Sequence, residues 1–438
     1  MKTKRVAALL MAALMLLGGC STTPTDKSEK DKSAVETPFY EAEIPTMGNV
    51  YLTTAKEIDD EYSKADIKVE WEDGSLEEQQ VKIKLRGNSS KSSEKKSYTV
   101  KYEEKVSFMD MDSGKKWALL GNPFDKTMLR VGLAFEYARA LEIPYVSQLR
   151  YCKLYLNDEY MGVYIAMEPI SDGKGHIDVD IDNGDAIFEC DKDRIEEDKT
   201  YITAYPDIRM QMNEPEEPTD EQALEFEDFL HDVYDAIESK DHTEYEKLID
   251  VDSFVNFYIF NEVVKDIDFG EFSTRYYRKD GKLYAGPPWD MDLSMGNVSR
   301  IYDDPKYHRY NNRLGYGNDS EDSAQELWAT GNYYGLLMED SYFHDLVCER
   351  WQEVLPITKN LIEANDLGDS LMDRYLEAYE EDILSNYGPE NTGWSVWYQE
   401  GTYADRSLAI DYDGNLDELR DWLERRIEWL DEEFNKGE

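Results

Sequence analysis

Asn261–Asn297 reads NEVVKDIDFGEFSTRYYRKDGKLYAGPPWDMDLSMGN. Within it, Arg275 to Lys279 and Lys282 to Ala285 flank Asp280-Gly281, a dipeptide that suits a tight hairpin turn because both positions tolerate positive φ. The open end of this hairpin carries Asp266 and Asp268 before it and Asp290 and Asp292 after it, so carboxylates 22 residues apart in sequence are delivered to one place. Four clustered acids repel one another unless a cation sits among them. The arrangement therefore reads as a magnesium or manganese site with one carboxylate left for base chemistry. Trp289, Met291 and Leu293 interleave with Asp290 and Asp292, which sets the run apart from an ordinary solvated acidic face.

Toward the N-terminus the pattern is β. Ile67, Val69 and Trp71 alternate with polar residues, Asp73-Gly74 offers a turn, and Val81, Ile83 and Leu85 alternate on the return. This hairpin runs into the polar loop Arg86-Gly87-Asn88-Ser89-Ser90. Ser97 to Tyr102 reads as a third strand, with Tyr98, Val100 and Tyr102 on one face and Thr99 and Lys101 on the other. Asp125 can cap a helix through Leu129, Leu133 and Tyr137 to Leu141, closed by Pro144. Glu136 falls near its inward stripe, a position that wants a cationic partner. Tyr151 to Leu156 and Met161 to Met167 form a second hairpin that ends at Glu168-Pro169, and the whole predicts a small α+β lobe.

Toward the C-terminus helices dominate. Thr219 with Gln222 three residues on predicts a capping box ahead of Phe226, Phe229, Leu230, Val233 and Ile237 at helical spacing. Phe254 to Val264 is a second apolar helix, and Leu416, Leu419, Leu423, Ile427, Leu430 and Phe434 predict a terminal amphipathic one. Asp178-x-Asp180-x-Asp182 with Glu189 imitates a calcium loop, but its glycine comes one place late and its flanks alternate as a strand does.

Before all of this lies a separate object. Lys2, Lys4 and Arg5 precede the apolar run Val6 to Leu17, too short for a stable span, and Leu17-Gly18-Gly19-Cys20 follows. Small residues before a cysteine resemble a bacterial lipobox, which makes residues 1–19 a lipoprotein signal peptide and Cys20 the lipidated first residue; an ordinary signal peptide is the alternative. Residues 20–38, rich in Ser, Thr, Asp, Glu, Lys and Pro, cannot bury a core and read as a flexible tether. The expected address is the extracytoplasmic face of a bacterial cell membrane, with membrane contact through Cys20 only.

Composition excludes several classes. The 438 residues hold 95 acidic and 48 basic side chains, a formal charge of −47, which argues against nucleic acid because phosphates demand Lys and Arg. Hydrophobic residues make up 41%, enough for sizeable cores. There is no H-E-x-x-H, G-x-S-x-G, Walker loop or G-x-G-x-x-G, and Cys152, Cys190 and Cys348 lack zinc spacing.

Five stretches in order carry a family resemblance: Leu85-Arg86-Gly87-Asn88-Ser89; Lys96-Ser97-Tyr98-Thr99-Val100-Lys101; Trp117-Ala118-Leu119-Leu120-Gly121-Asn122 with Asp125 and Leu129-Arg130; Tyr155-Leu156-Asn157 through Gly162-Val163-Tyr164; and Gly286-Pro287-Pro288-Trp289-Asp290-Met291-Asp292. The chain resembles the spore coat protein H (CotH) kinase family. That resemblance implies a divergent, two-lobed protein-kinase-like α+β fold, with a β-rich N-lobe over residues 39–170 and a mainly helical C-lobe over 171–438. It also implies binding of ATP with a divalent ion, Mg²⁺ or Mn²⁺, and, as in some members, phosphorylation of proteins; the address expected from Cys20 would make the acceptor an extracytoplasmic one.

On the kinase plan, Lys101 resembles the phosphate-holding strand lysine, with Lys96 as the substitute, and Glu136 resembles the helix carboxylate that orients it. Arg86 and Asn88 would sit over the phosphates, and Glu168 falls at the hinge between lobes. Asp290 resembles the metal-binding aspartate of D-F-G, Asp292 stands where glycine is expected, and Asp268 resembles the catalytic-loop aspartate. Ser273 takes the place of a metal-binding asparagine. Two other readings stand beside the enzyme: a non-catalytic surface adhesion or scaffold module, and a carbohydrate or cell-wall binder drawing on the many Tyr and Trp.

Overall fold

Period-two alternation makes the first half of the chain a sheet that closes on itself. The strands are β1 (Gly48–Thr53), β2 (Ser63–Glu70), β3 (Leu76–Arg86), β4 (Ser97–Ser107), β5 (Ser113–Leu120), β6 (Leu149–Leu156) and β7 (Glu159–Met167). Their order is β1-β2-β3-β4-β5-β7-β6, and parallel pairing of β1 with β6 completes a closed barrel. Val50, Ile67, Ile83, Val100, Trp117 and Leu154 fill its interior, and closure leaves no open strand edge. The computed structural model describes residues 44–71, 76–87, 89–93, 95–171, 176–191, 199–205, 208–297, 324–385 and 411–436. These all belong to the compact unit that begins at Phe39.

Helix α1 (Arg130–Ala140) lies between β5 and β6 in sequence yet packs outside the barrel. Its Leu133, Phe135 and Tyr137 join the core of the second half, with Tyr137 stacked 6.2 Å from Phe260. The helix begins later than Asp125 suggested, after Leu129, which supplies no side-chain cap. Asp125 nonetheless satisfies the first turn: Arg130 donates its backbone N–H to Oδ2 at 2.9 Å and its Nη1 to Oδ1 at 2.7 Å.

The second half was expected to be mainly helical, and it carries α2 (Asp220–Glu238), α3 (His242–Tyr245), α4 (Val251–Val264), α5 (Asn332–Leu337), α6 (Ser341–Lys359), α7 (Leu371–Leu384) and α8 (Tyr412–Phe434). The Thr219–Gln222 capping box forms, and the six apolar positions expected of α8 are buried. That expectation stands, with an addition: of the strands found here, only the hairpin around Asp280-Gly281 was read from the sequence. These helices surround a five-stranded sheet of order β12-β11-β8-β10-β9, built from β8 (Ala186–Asp191), β9 (Tyr201–Tyr205), β10 (Ile208–Glu214), β11 (Phe272–Lys279) and β12 (Lys282–Ala285). In β10 Ile208, Met210 and Met212 are buried between partly exposed Arg209 and Gln211, a short alternation that only its pairing with β8 makes stable. Helix α4 is buried almost all round, which roots the chain immediately before the acidic loop.

Candidate active site

Asp250 caps α4, accepting from Ser253 N at 2.9 Å, and the helix stops at Lys265 in the left-handed conformation. Asp266 follows it into the core. Its carbonyl accepts from Trp328 Nε1 at 2.7 Å, while its buried Oδ1 has no hydrogen-bond partner among the described residues. Asp268 emerges two residues later, its carbonyl accepting from Phe272 N at 2.9 Å, and Ser273 is left-handed at φ 55°. The chain then enters β11, turns at Asp280-Gly281 with both residues at positive φ, and returns along β12 to Trp289 and Asp290.

The short turn Met291–Leu293 that presents Asp292 is held from behind. Arg130 donates Nε to Ser294 O at 3.1 Å, and Asn297 donates Nδ2 to both Asp292 O and Phe124 O at 2.6 Å. The loop between β5 and α1, part of the motif that carried the resemblance, is thus a brace for the acidic turn.

Asp268, Ser273, Asp290 and Asp292 line one cavity of about 540 Å³ together with Arg86, Lys84 and Arg275. Burial, then repulsion by Asp268 and Asp290, drives the Asp266 carboxyl well above the usual range. Burial and then Asp290 do the same to Asp292. In the same cavity, the Arg86 and Arg275 guanidinium groups each lie 5.1 Å from the Trp289 ring. Arg275 is committed to Glu189 at 2.9 Å, whereas the Arg86 guanidinium makes no hydrogen bond or ion pair with a described residue. Sequence reasoning missed Lys84, Glu189, Asp191, Lys199 and Arg275 as lining residues. Lys84 was within reach, since it shares a strand face with Arg86; the others depend on β8 and its pairing.

Other expected residues stand apart. Lys101 is on the outer face of the barrel as its strand parity required, but it does not line the cavity; it lies over the Tyr62 ring at 5.7 Å. Lys96 donates to Lys91 O at 2.5 Å, and neighbouring Lys95 is buried, donating to Val163 O at 2.7 Å. Glu136 pairs with Arg139 of its own helix at 2.5 Å, because α1 turns its apolar faces to the second core and leaves these two on its partly exposed side. Glu168 lines a second cavity of about 330 Å³, where its Oε1 lies 3.0 Å from His176 Nε2. Asn88 and Cys20 lie outside the described residues.

Among the described residues no three His, Cys or carboxylate side chains form a ready-made metal cage. The donor set is carboxylate oxygen, which suits a hard divalent ion. No curated protein matches the chain. The family model described as CotH kinase protein matches residues 83–430, most of the chain and the whole of the cavity just described, so this protein belongs to the CotH kinase family.

Proposed function

We propose that this chain is a metal-dependent phosphotransferase that moves the γ-phosphoryl group of ATP to a hydroxyl of an extracytoplasmic protein. The observation that carries the reading is the meeting of Asp268, Asp290 and Asp292 with Arg86 and Lys84 in one cavity, carboxylates for base and metal duty facing cations for phosphate. Magnesium keeps several waters and takes one or two carboxylates plus phosphate oxygens, so Asp290 and Asp292 suffice without a protein cage. Bound there, such an ion offsets the negative charge that develops on the transferred group.

The chain's own residues do the rest. Arg86 and Lys84 hold phosphate oxygens, Lys84 taking the duty that the resemblance assigns to Lys101 one strand away. Asp268 accepts the acceptor's hydroxyl proton as that oxygen attacks the γ-phosphorus, and ADP leaves with the electrons of the broken P–O bond. Ser273 offers a neutral hydroxyl beside them.

One observation favours a second reading: Lys101 and Glu136, the pair expected of a working kinase, are not joined, as they are in neither the cavity nor one ion pair. A kinase-fold scaffold that binds nucleotide without turnover is that alternative. Calorimetric titration of ATP with Mg²⁺ or Mn²⁺, beside transfer from labelled ATP, separates them. Asp290→Asn is expected to lose binding and transfer, and Asp268→Asn to keep binding and lose transfer about a hundredfold or more. Tight nucleotide binding by wild-type protein with no transfer to itself or a co-incubated acceptor makes it the scaffold; absence of nucleotide binding sinks both. For the address, Cys20→Ser is expected to release the protein from the membrane or leave it unprocessed. Wild-type protein in the detergent-free soluble fraction would refute the lipid anchor.

A further inference from the structure

The outer wall of the barrel carries a row of lysines that the cavity does not use. In register, Lys64 of β2 faces Lys82 of β3, Lys82 faces Lys101 of β4, and Lys101 faces Lys116 of β5. Directly opposed residues share a face, and the flanking pairs Ala65 with Val81 and Val100 with Trp117 fill the interior, so all four lysines stand outside. With strands about 4.8 Å apart the row covers about 14 Å.

Such a row costs stability, because like charges directly opposite in a sheet repel. None of the four ammonium groups has a hydrogen bond or ion pair with a described residue. The chain holds 95 acidic side chains, and four adjacent lysines with no acidic partner among the described residues mark a surface suited to an anion from outside. The row also connects to the chemistry. Lys84, two residues from Lys82 on the same strand face, lines the large cavity. Lys116 lines the second cavity with Lys199, which lines both.

We propose that this row is a docking track for an extended acidic segment of the protein acceptor, held beside the cavity in which the hydroxyl is phosphorylated. Naming the partner as acceptor rests on the phosphotransferase reading; the track itself rests on charge and register. β2 to β5 are four of the seven strands of a closed barrel, so the row follows a curved wall. A flat bilayer touches only part of such a wall, whereas an extended chain bends around it. At about 3.3 Å per residue, a run of roughly four or five residues covers the row.

The test is fluorescence anisotropy, without nucleotide, using a labelled peptide rich in consecutive glutamates and a control with glutamines in their place. Wild-type protein is expected to bind the acidic peptide, more weakly as salt rises, and to ignore the control. The combined variant Lys64→Gln, Lys82→Gln, Lys116→Gln is expected to bind about tenfold more weakly. Its thermal unfolding should come no lower than that of wild type, since repulsion has been removed. Equal affinity of variant and wild type, or no preference for glutamate over glutamine, overturns the proposal. So does a variant that keeps its peptide affinity but no longer sediments with phosphatidylglycerol vesicles, which would make the row a membrane contact. Peptide binding is read without ATP, so a failure of phosphoryl transfer with the track intact counts against the phosphotransferase reading alone.

Discussion

Arg86 and Lys101 sit on adjacent strands, and their surroundings give them different work. The Arg86 guanidinium lies against Trp289 inside the cavity with its N–H groups uncommitted, whereas Lys101 lies over Tyr62 outside it. A hydrogen bond to a charged group contributes about 1.5–3 kcal/mol. Arg86→Ala is therefore expected to weaken ATP binding roughly ten- to a hundredfold by calorimetry, and Lys101→Ala less than about twofold; the reverse ranking would return the phosphate to Lys101. Glu168 gives a pH signature of its own. Burial pushes its carboxyl up to about 7, with Asp112 adding to the rise and Lys105 opposing it. A carboxyl whose folded pKa exceeds its unfolded value holds its proton better in the native state, so native stability is greatest below the unfolded value of 4.5 and falls as pH rises toward 7. Glu168→Gln should melt above wild type at pH 8, with the gap closing by pH 5; a constant gap would assign the change to packing. At this scale Asp268, Asp290 and Asp292 were legible because one turn dipeptide aligns the two chain ends that carry them. The pairing of Glu136 with Arg139 was not, because it depends on which core α1 joins; for Lys101 the outward face was legible from parity, its distance from the cavity was not.

Elements position the acids through contacts that span most of the chain. Helix α8 reaches α4 through Arg426 and Glu262, both fully buried and 2.7 Å apart. Arg426 also donates to Glu262 O, Ala324 O and Glu326 O, and Glu262 accepts from Trp328 N and Ala329 N. One ion pair thus fastens the C-terminal helix, the 324–329 segment and the end of α4 from which Asp266 and Asp268 project. Removing one partner strands a buried charge, so Arg426→Met is expected to lose about 3–5 kcal/mol in urea unfolding. Adding Glu262→Gln should recover part of that loss; a single variant within about 1 kcal/mol of wild type would mean that Glu262 relaxes onto its backbone donors. The apolar period of α8 and the capping box of α2 were readable because burial repeats with the helix. Pairing of β8 with β11 was not, because Arg275 meets Glu189 across 86 residues and neither strand announces its partner.

For the whole molecule, the field far from the cavity and the field inside it have opposite consequences for ATP. Lys84, Arg86, Lys91, Lys199 and Arg275 are matched along the cavity wall by Glu189, Asp191, Asp268, Asp290 and Asp292, so the wall is formally neutral, while the chain carries −47. An approaching nucleotide therefore meets net repulsion until it is within reach of Arg86 and Lys84. At physiological ionic strength the Debye length is about 8 Å, so salt weakens the distant repulsion while leaving contacts at hydrogen-bond distance largely intact. The association rate of ATP, followed by stopped flow with a fluorescent analogue at fixed Mg²⁺, should rise as monovalent salt increases, and the dissociation rate should change less. Proteins that steer nucleotides with a basic field show the opposite slope. A rate that falls with salt here would mean that the cavity's lysines, Lys84 and Lys199, reach further into solvent than the acidic surface around them, and that the barrel's lysine row contributes to capturing the nucleotide as well as its acceptor.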